Sequence, residues 1–311
     1  RRASQESPKR QRSFSPVAAL KRMFSSSKKL SASSLPSLRD ETSRVHAHAQ
    51  SPGRGAAIAL QFGATHEPRV AATAALSVAR DGGFAKEKLL FSSSTCPDEI
   101  CCAKAWEPLF DNGVLPAFRL GGLAGLPFAG ATGFRAYASH APDGGGLFVF
   151  YGPHVGVSSD GARIGAVARE GQAKESGACG ACVGALAWAR QQTCQPCVQP
   201  ADAPGDYQMA CVKQAVVRHL PAIDATEGKD EVAVLCDKLC DDIRAGLLEA
   251  IDKACPGQPA YLLGGIQING PTEGPELLAI RHFELRAPDG TLTDKMAALE
   301  RALDLQVNGF N

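Results

Sequence analysis

An excess of charge of either sign is absent from this chain: 33 Lys and Arg stand against 32 Asp and Glu over 311 residues, a net charge of +1. So even a balance leaves the chain as a whole no strong electrostatic pull on nucleic acid or on an anionic membrane surface, and no nucleic-acid partner is expected. Long apolar runs are also missing. No stretch approaches the roughly 20 uninterrupted apolar residues of a membrane span, so none is expected. Aromatic residues are scarce, at 6%, while glycine is abundant, at 32 residues. That combination suits an α/β domain with many tight turns. No internal repeat is visible, which argues against a repeat architecture. The first residue is Arg rather than Met, which reads as a fragment or a processed form.

Cysteine, by contrast, is plentiful, at eleven. The number is odd, and the chain is long enough to build a core without disulfide staples. A reducing compartment with some metal ligation is the natural reading. Cys211, Cys236, Cys240 and Cys255 fall in helix-like stretches, where a small buried thiol is the ordinary role.

Residues 1–55 differ from the rest. They hold twelve Lys and Arg against three acidic residues, with many Ser and few large apolar groups. Such a segment cannot bury enough surface to fold alone. Its basic, Ser-rich, acid-poor composition resembles an organelle transit leader; a regulatory arm with kinase sites at Arg1-Arg2-Ala3-Ser4 and Ser15-Pro16 is the alternative. Residues 56–311 read as one globular domain.

Within that domain, 67–80 predicts a helix with Pro68 in its first turn. Residues 88–93 predict a buried strand ending just before Cys96, and 99–109 a helix. Residues 134–140 and 147–151 are strand-like around the turn residues Pro142-Asp143-Gly144, and 164–168 reads as a returning strand. Helices are expected over 178–190, 206–219, 229–254 and 294–305, and strands over 261–269 and 282–286. Strands alternating with helices predict an α/β fold, a mostly parallel central sheet flanked by helices.

Three residues of the kind that bind zinc stand in glycine-rich, strand-like surroundings: Cys96 in Ser-Thr-Cys-Pro-Asp, His154 in Tyr-Gly-Pro-His-Val-Gly, and Cys179 in Ser-Gly-Ala-Cys-Gly-Ala. Two thiolates and an imidazole suit Zn2+ and leave a fourth tetrahedral position open, the mark of a catalytic rather than a structural site. Cys96 and His154 fall at or beyond predicted strand ends, where α/β sheets build sites. Cys179 falls at a predicted helix N-terminus, where the dipole favours thiolate. Asp98 is placed either to orient whatever fills the fourth position or to fill it itself. A competing metal pattern is Cys179-x2-Cys182 followed by Cys194-x2-Cys197, which has zinc-ribbon spacing and would make a closed, structural site. Against it, 178–190 reads as helix, whereas ribbon pairs sit on tight turns. Cys182 is then a buried helix thiol, and Cys194 with Cys197 a redox-sensitive loop pair.

Several motifs in one order carry a family resemblance: Cys96-Pro-Asp98-Glu99; Arg119-Leu-Gly-Gly122 with Gly130-Ala-Thr-Gly133-Phe134; His140-Ala-Pro-Asp143-Gly144; Tyr151-Gly-Pro-His154-Val-Gly156; Ser176-Gly-Ala-Cys179-Gly-Ala181; and Ile266-Gln-Ile-Asn269-Gly-Pro271. From about 56 to 290 the chain resembles the limiting-CO2-inducible B/C family of algae and diatoms, the theta-type carbonic anhydrases. The resemblance implies a beta-carbonic-anhydrase-like architecture, one zinc per subunit on Cys96, His154 and Cys179, and reversible hydration of CO2 to bicarbonate in a carbon-concentrating mechanism. It also implies a homodimer, or a hetero-oligomer with a paralogue. Together with the leader it implies the chloroplast stroma, with the cytoplasm as the alternative.

In beta-type enzymes an Arg paired to the Asp keeps the carboxylate off the metal. The residues after Asp98 are Glu99-Ile100-Cys101-Cys102, without an Arg, so Arg119 or Arg135 would have to supply the partner from a distance. Without one, the chain reads as an inactive zinc-binding paralogue that assembles with an active relative. His140 is a candidate proton relay, since imidazole titrates near 6.5, against a reading as a turn histidine. Leu123, Leu126, Phe128 and Val155 are candidates to line an apolar cavity for CO2. Tyr151 and Phe134 are expected to wall that pocket or fill core. His219 and His282 are expected to be ordinary hydrogen-bonded residues.

Overall fold

Short apolar stretches of this chain become the strands of one twisted sheet: β1 (Leu89–Ser94), β2 (Phe118–Arg119), β3 (Gly146–Tyr151) and β4 (His154–Gly156), then, beyond the small pair β5 (Ala166–Val167) and β6 (Ser176–Gly177), β7 (Ala260–Asn269), β8 (Leu277–Arg286) and β9 (Leu292–Asp294). The computed structural model describes residues 52–101, 118–192, 197–270 and 276–307, all within one compact unit, Arg44–Asn311. The sheet order is β2-β1-β3-β7-β8-β9, with β4 also paired to β7. Pairings among β1, β2, β3, β4 and β7 are parallel, and β7–β8 and β8–β9 are antiparallel. Every residue of β3 and β7 is buried. A strand covered on both faces reads as a continuous apolar run, which is why these two are plain in the sequence.

The helices are α1 (Pro52–Phe62), α2 (Pro68–Asp81), α3 (Gly130–Ala138), α4 (Gly180–Arg190), α5 (Tyr207–Asp224), α6 (Glu231–Ala254) and α7 (Met296–Val307). Side chains alternate across the strands and divide the core. Phe91, Phe148, Phe150, Tyr261 and Leu263 pack against α2 and α7. Leu147, Val149, Tyr151 and Leu262 pack against α3 and α6, and Val155, Ile266 and Ile268 against α1, α4, α5 and α6. The long helix α6 has Asp230 as its N-cap, accepting from the Val232 amide at 2.8 Å, and buries Leu235, Leu239, Ile243, Leu247 and Ile251. This spacing of four lays one apolar stripe along the helix. Among the described residues no helix is long and apolar enough to cross a membrane.

Several stretches differ from the sequence-based expectation, among them a strand expected over 282–286 that runs from Leu277 to Arg286. Residues 134–140, expected as a strand, belong to helix α3 and the turn after it. Phe134 and Tyr137, three apart, are both fully buried, and the Tyr137 hydroxyl donates to the Leu90 carbonyl at 2.6 Å. The helical period therefore outweighs the aromatic, strand-like composition, and the helix starts at Gly130. The expected strand 164–168 shrinks to the two residues of β5. Of the helix expected over 99–109, only a single 3-10 turn, Glu99–Cys101, is described; the remainder lies outside the described residues. Helix α1 begins at Pro52, ahead of residue 56, and its Arg54 is buried at 2% exposure.

Candidate metal centre

The C-terminal ends of the parallel strands β1 and β3 lead to two of the candidate ligands, and the start of α4 carries the third. β1 ends at Ser94, two residues before Cys96. β3 ends at Tyr151 and resumes as β4 at His154, both segments pairing with β7. The break between them is Gly152-Pro153. Gly152 has φ 153°, and a Cβ there would lie 1.7 Å from the Gly265 carbonyl oxygen, so only glycine lets this strand pass β7 so closely. Cys179 is the N-cap of α4, with extended backbone. The Ala178 carbonyl before it accepts from the Gly156 amide at 2.7 Å, which moors the start of α4 to the strand that carries His154.

These three elements bring together Cys96, His154 and Cys179, all buried, with their ligand atoms within 4.8 Å of one another. The two Sγ atoms are 3.8 Å apart. His154 Nδ1 lies 2.8 Å from Asn269 Oδ1, while His154 Nε2 is buried with no hydrogen-bond partner. A buried, unpartnered nitrogen carries a free-energy cost unless a ligand uses it, and its ring is clustered with two thiols. The set could hold a metal ion. The thiols resist ionisation: contact with Cys179 first, then burial, raises Cys96, and Cys179 is pushed up to about 12, first by the Cys182 thiol beside it and also by burial. A divalent cation reverses that balance, because coordination selects the thiolate.

Asp98 stands at the edge of this cluster, its Oδ2 3.7 Å from His154 Nε2. Arg169 clasps it. Nη1 donates to Oδ1 at 2.9 Å and Nη2 to Oδ2 at 3.0 Å, a two-pronged pairing that matches guanidinium to carboxylate. Arg169 Nε donates to Ser176 Oγ at 2.9 Å and Nη2 to the Gly177 carbonyl at 3.2 Å; Nη1 also meets Glu99. Burial pushes Asp98 up, but the Arg169 hydrogen bonds and further favourable contacts outweigh it and bring the carboxyl down to about 2. Its carboxylate is therefore ionised throughout the physiological range.

The Arg partner for Asp98 is thus Arg169, rather than Arg119 on β2 or Arg135 on the exposed side of α3. Sequence reasoning missed it because the pair is 71 residues apart and no local spacing announces it. Asn269 was legible only as part of a motif. His140 is not brought to the cluster. It is exposed in the turn after α3, on the chain that enters the N-terminal end of β3, whereas Cys96 and His154 follow the C-terminal ends of β1 and β3. The six residues of β3 that lie between His140 and His154 along the chain span roughly 20 Å.

Leu123, Leu126 and Val155 pack in the same cluster as Cys96 and Cys179, while Phe128 meets Tyr207 edge-on at 6.3 Å between ring centroids. Phe134 and Tyr151 are buried core. Of the ribbon pattern, Cys182 is buried in α4 and Cys197 is exposed; Cys194 lies outside the described residues. Cys236 and Cys240 are buried, and Cys211 and Cys255 partly so. His219 pairs with Asp242 at 2.8 Å and His282 with Asp241 at 3.1 Å.

Known proteins are similar to this chain in sequence and in fold. The family model described as limiting CO2-inducible proteins B/C, beta carbonic anhydrases, matches residues 69–287. The crystal structure of PtLCIB4, a homolog of the limiting CO2-inducible protein LCIB, is 29% identical with a TM-score of 0.65, covering 77% of this chain and 98% of that one. A histidine-to-alanine mutant of PtLCIB4 gives 28% and 0.66, covering 78% and 97%. The structure of LCIB, 20% identical with a TM-score of 0.55 over 75% of this chain and 95% of its own, is similar in fold. Among curated proteins nothing matches. With the family model spanning the strands and loops that carry all three candidate ligands, this chain belongs to the limiting CO2-inducible B/C family of beta carbonic anhydrases.

Proposed function

We propose that this chain catalyses the zinc-dependent, reversible hydration of CO2 to bicarbonate. Cys96 Sγ, His154 Nε2 and Cys179 Sγ would hold the ion. Zinc on such a donor set supplies Lewis acidity, which brings the ionisation of water down toward neutral pH. The observation that carries the reading is the Asp98–Arg169 clasp beside those three atoms. Arg169 fixes the carboxylate in one orientation and satisfies both of its oxygens, so Asp98 has no unmet demand that would draw it in as a further ligand. Being ionised, Asp98 can accept a hydrogen bond from a reacting water and hold its lone pair toward CO2. That orientation supplies part of the barrier lowering that fixed geometry gives. CO2 offers no net charge to grip, and Leu123, Leu126 and Val155 supply an apolar wall nearby.

The alternative, an inactive zinc-binding paralogue, drew its support from the lack of an Arg near Asp98 in sequence; Arg169 removes that support. The family description supports a role in carbon concentration, where a dimer or a hetero-oligomer with a paralogue would operate. The basic, Ser-rich segment supports the chloroplast stroma. Asp98→Asn tests the assigned role. The variant should keep its metal and lose CO2 hydration by about 100-fold, as loss of a fixed electrostatic group in an active site does. Undiminished turnover would remove Asp98 from the reaction.

A further inference from the structure

His154 has two ring nitrogens in opposite situations. Nδ1 faces Asn269 Oδ1 at 2.8 Å, and Nε2, on a ring clustered with the two thiols and 3.7 Å from Asp98 Oδ2, has no hydrogen-bond partner. The Asn269 amide is itself oriented: its Nδ2 donates to the Ile100 carbonyl at 3.2 Å. Turning the amide over would set its oxygen against that carbonyl oxygen, so the oxygen is held toward the ring. An acceptor there requires a proton on Nδ1, and a neutral imidazole with Nδ1–H carries its lone pair on Nε2.

The backbone under this amide is firmly placed. Asn269 is the last residue of β7 and pairs with Gly156 of β4. Its carbonyl accepts from the Val157 amide at 3.2 Å and from Arg54 Nη2 at 3.4 Å. The side chain thus joins two parts of the centre, the ring of His154 on β4 and the 3-10 turn Glu99–Cys101 directly after Asp98.

We propose that Asn269 is the positioning residue of the metal centre: it locks His154 in the Nδ1–H tautomer, so that Nε2 is the ligating atom, and ties that ligand to the turn beside Asp98. This rests on the metal-binding reading above. Partners of this kind raise the basicity of a ligating imidazole and fix its plane.

The test reads the tautomer directly. Imidazole nitrogen chemical shifts are recorded on the full chain, metal-free and at pH 8, with His154 assigned among the seven histidines by its loss in His154→Gln. The wild type should show Nδ1 protonated and Nε2 bare. Asn269→Ala should shift His154 toward the Nε2–H form, and its zinc affinity, measured by competition with a chromophoric chelator, should fall about 10- to 100-fold. Asn269→Asp keeps an acceptor toward the ring but sets its other oxygen against the Ile100 carbonyl, so it should restore the tautomer and only part of the affinity. A wild-type His154 protonated at Nε2, or an Asn269→Ala protein with unchanged tautomer and zinc affinity, would overturn the proposal. Because the wild-type spectrum alone can refute it, a variant that fails to fold does not shelter it. The tautomer is read without metal or turnover, so an inactive wild type would count against the hydration reading and not against this one.

Discussion

Arg169 spends its donors on Asp98, Glu99, Ser176 and Gly177, and so connects the loop after Cys96 to the strand that precedes Cys179. Arg169→Gln keeps polarity but loses the fork. The metal should stay bound, because no ligand is touched, while CO2 hydration should drop by about 100-fold, measured by stopped flow beside zinc content. The same pairing has a pH signature. The Asp98 carboxyl is depressed from 3.8 to about 2, so its contribution to stability is fully present above about 4 and is lost as the pH falls through 2. Carboxyl-carbon titration should find Asp98 still ionised at pH 3 in the wild type and protonating at higher pH in Arg169→Gln. Cys96, His154 and Cys179 were legible in the sequence because their residue types carry the chemistry in themselves. Arg169 was not, because an Arg becomes a partner only through a fold that brings distant residues together.

At the scale of elements, the site depends on a strand that stops and resumes. Gly152 and Pro153 break β3 from β4, and Gly152 passes β7 with no room for a side chain. Gly152→Ala must therefore move one strand against the other. Overpacking of this kind costs about 1–3 kcal/mol or more, and chemical denaturation should report at least that loss, together with weaker zinc binding because His154 lies two residues on. Wild-type stability with full zinc would mean that the two strands are not held in this register. The buried strands β3 and β7 and the striped helix α6 were legible, since burial on two faces and a spacing of four leave clear apolar patterns. Helix α3 was not. Phe134 and Tyr137 suit a strand by composition, and only their joint burial against α6 decides for helix.

For the molecule as a whole, the start of the first described helix bears on the site. The composition of residues 1–55 reads as a leader, yet Arg54 is buried, with Nε donating to the Val157 carbonyl at 3.3 Å and Nη2 to that of Asn269 at 3.4 Å. A single buried Arg in a basic stretch looks like its neighbours until the carbonyls it serves are known. Arg54→Ala should cost about 2 kcal/mol, as loss of a charged donor from buried acceptors does; an unchanged denaturation midpoint would contradict that clamp. The central claim is that the clasped, three-ligand centre hydrates CO2, and stopped-flow hydration by the full chain, with zinc determined on the same sample, tests it most directly. One zinc per chain with hydration that fails in Cys96→Ser is the predicted result. One zinc per chain with no hydration above the uncatalysed rate would contradict it.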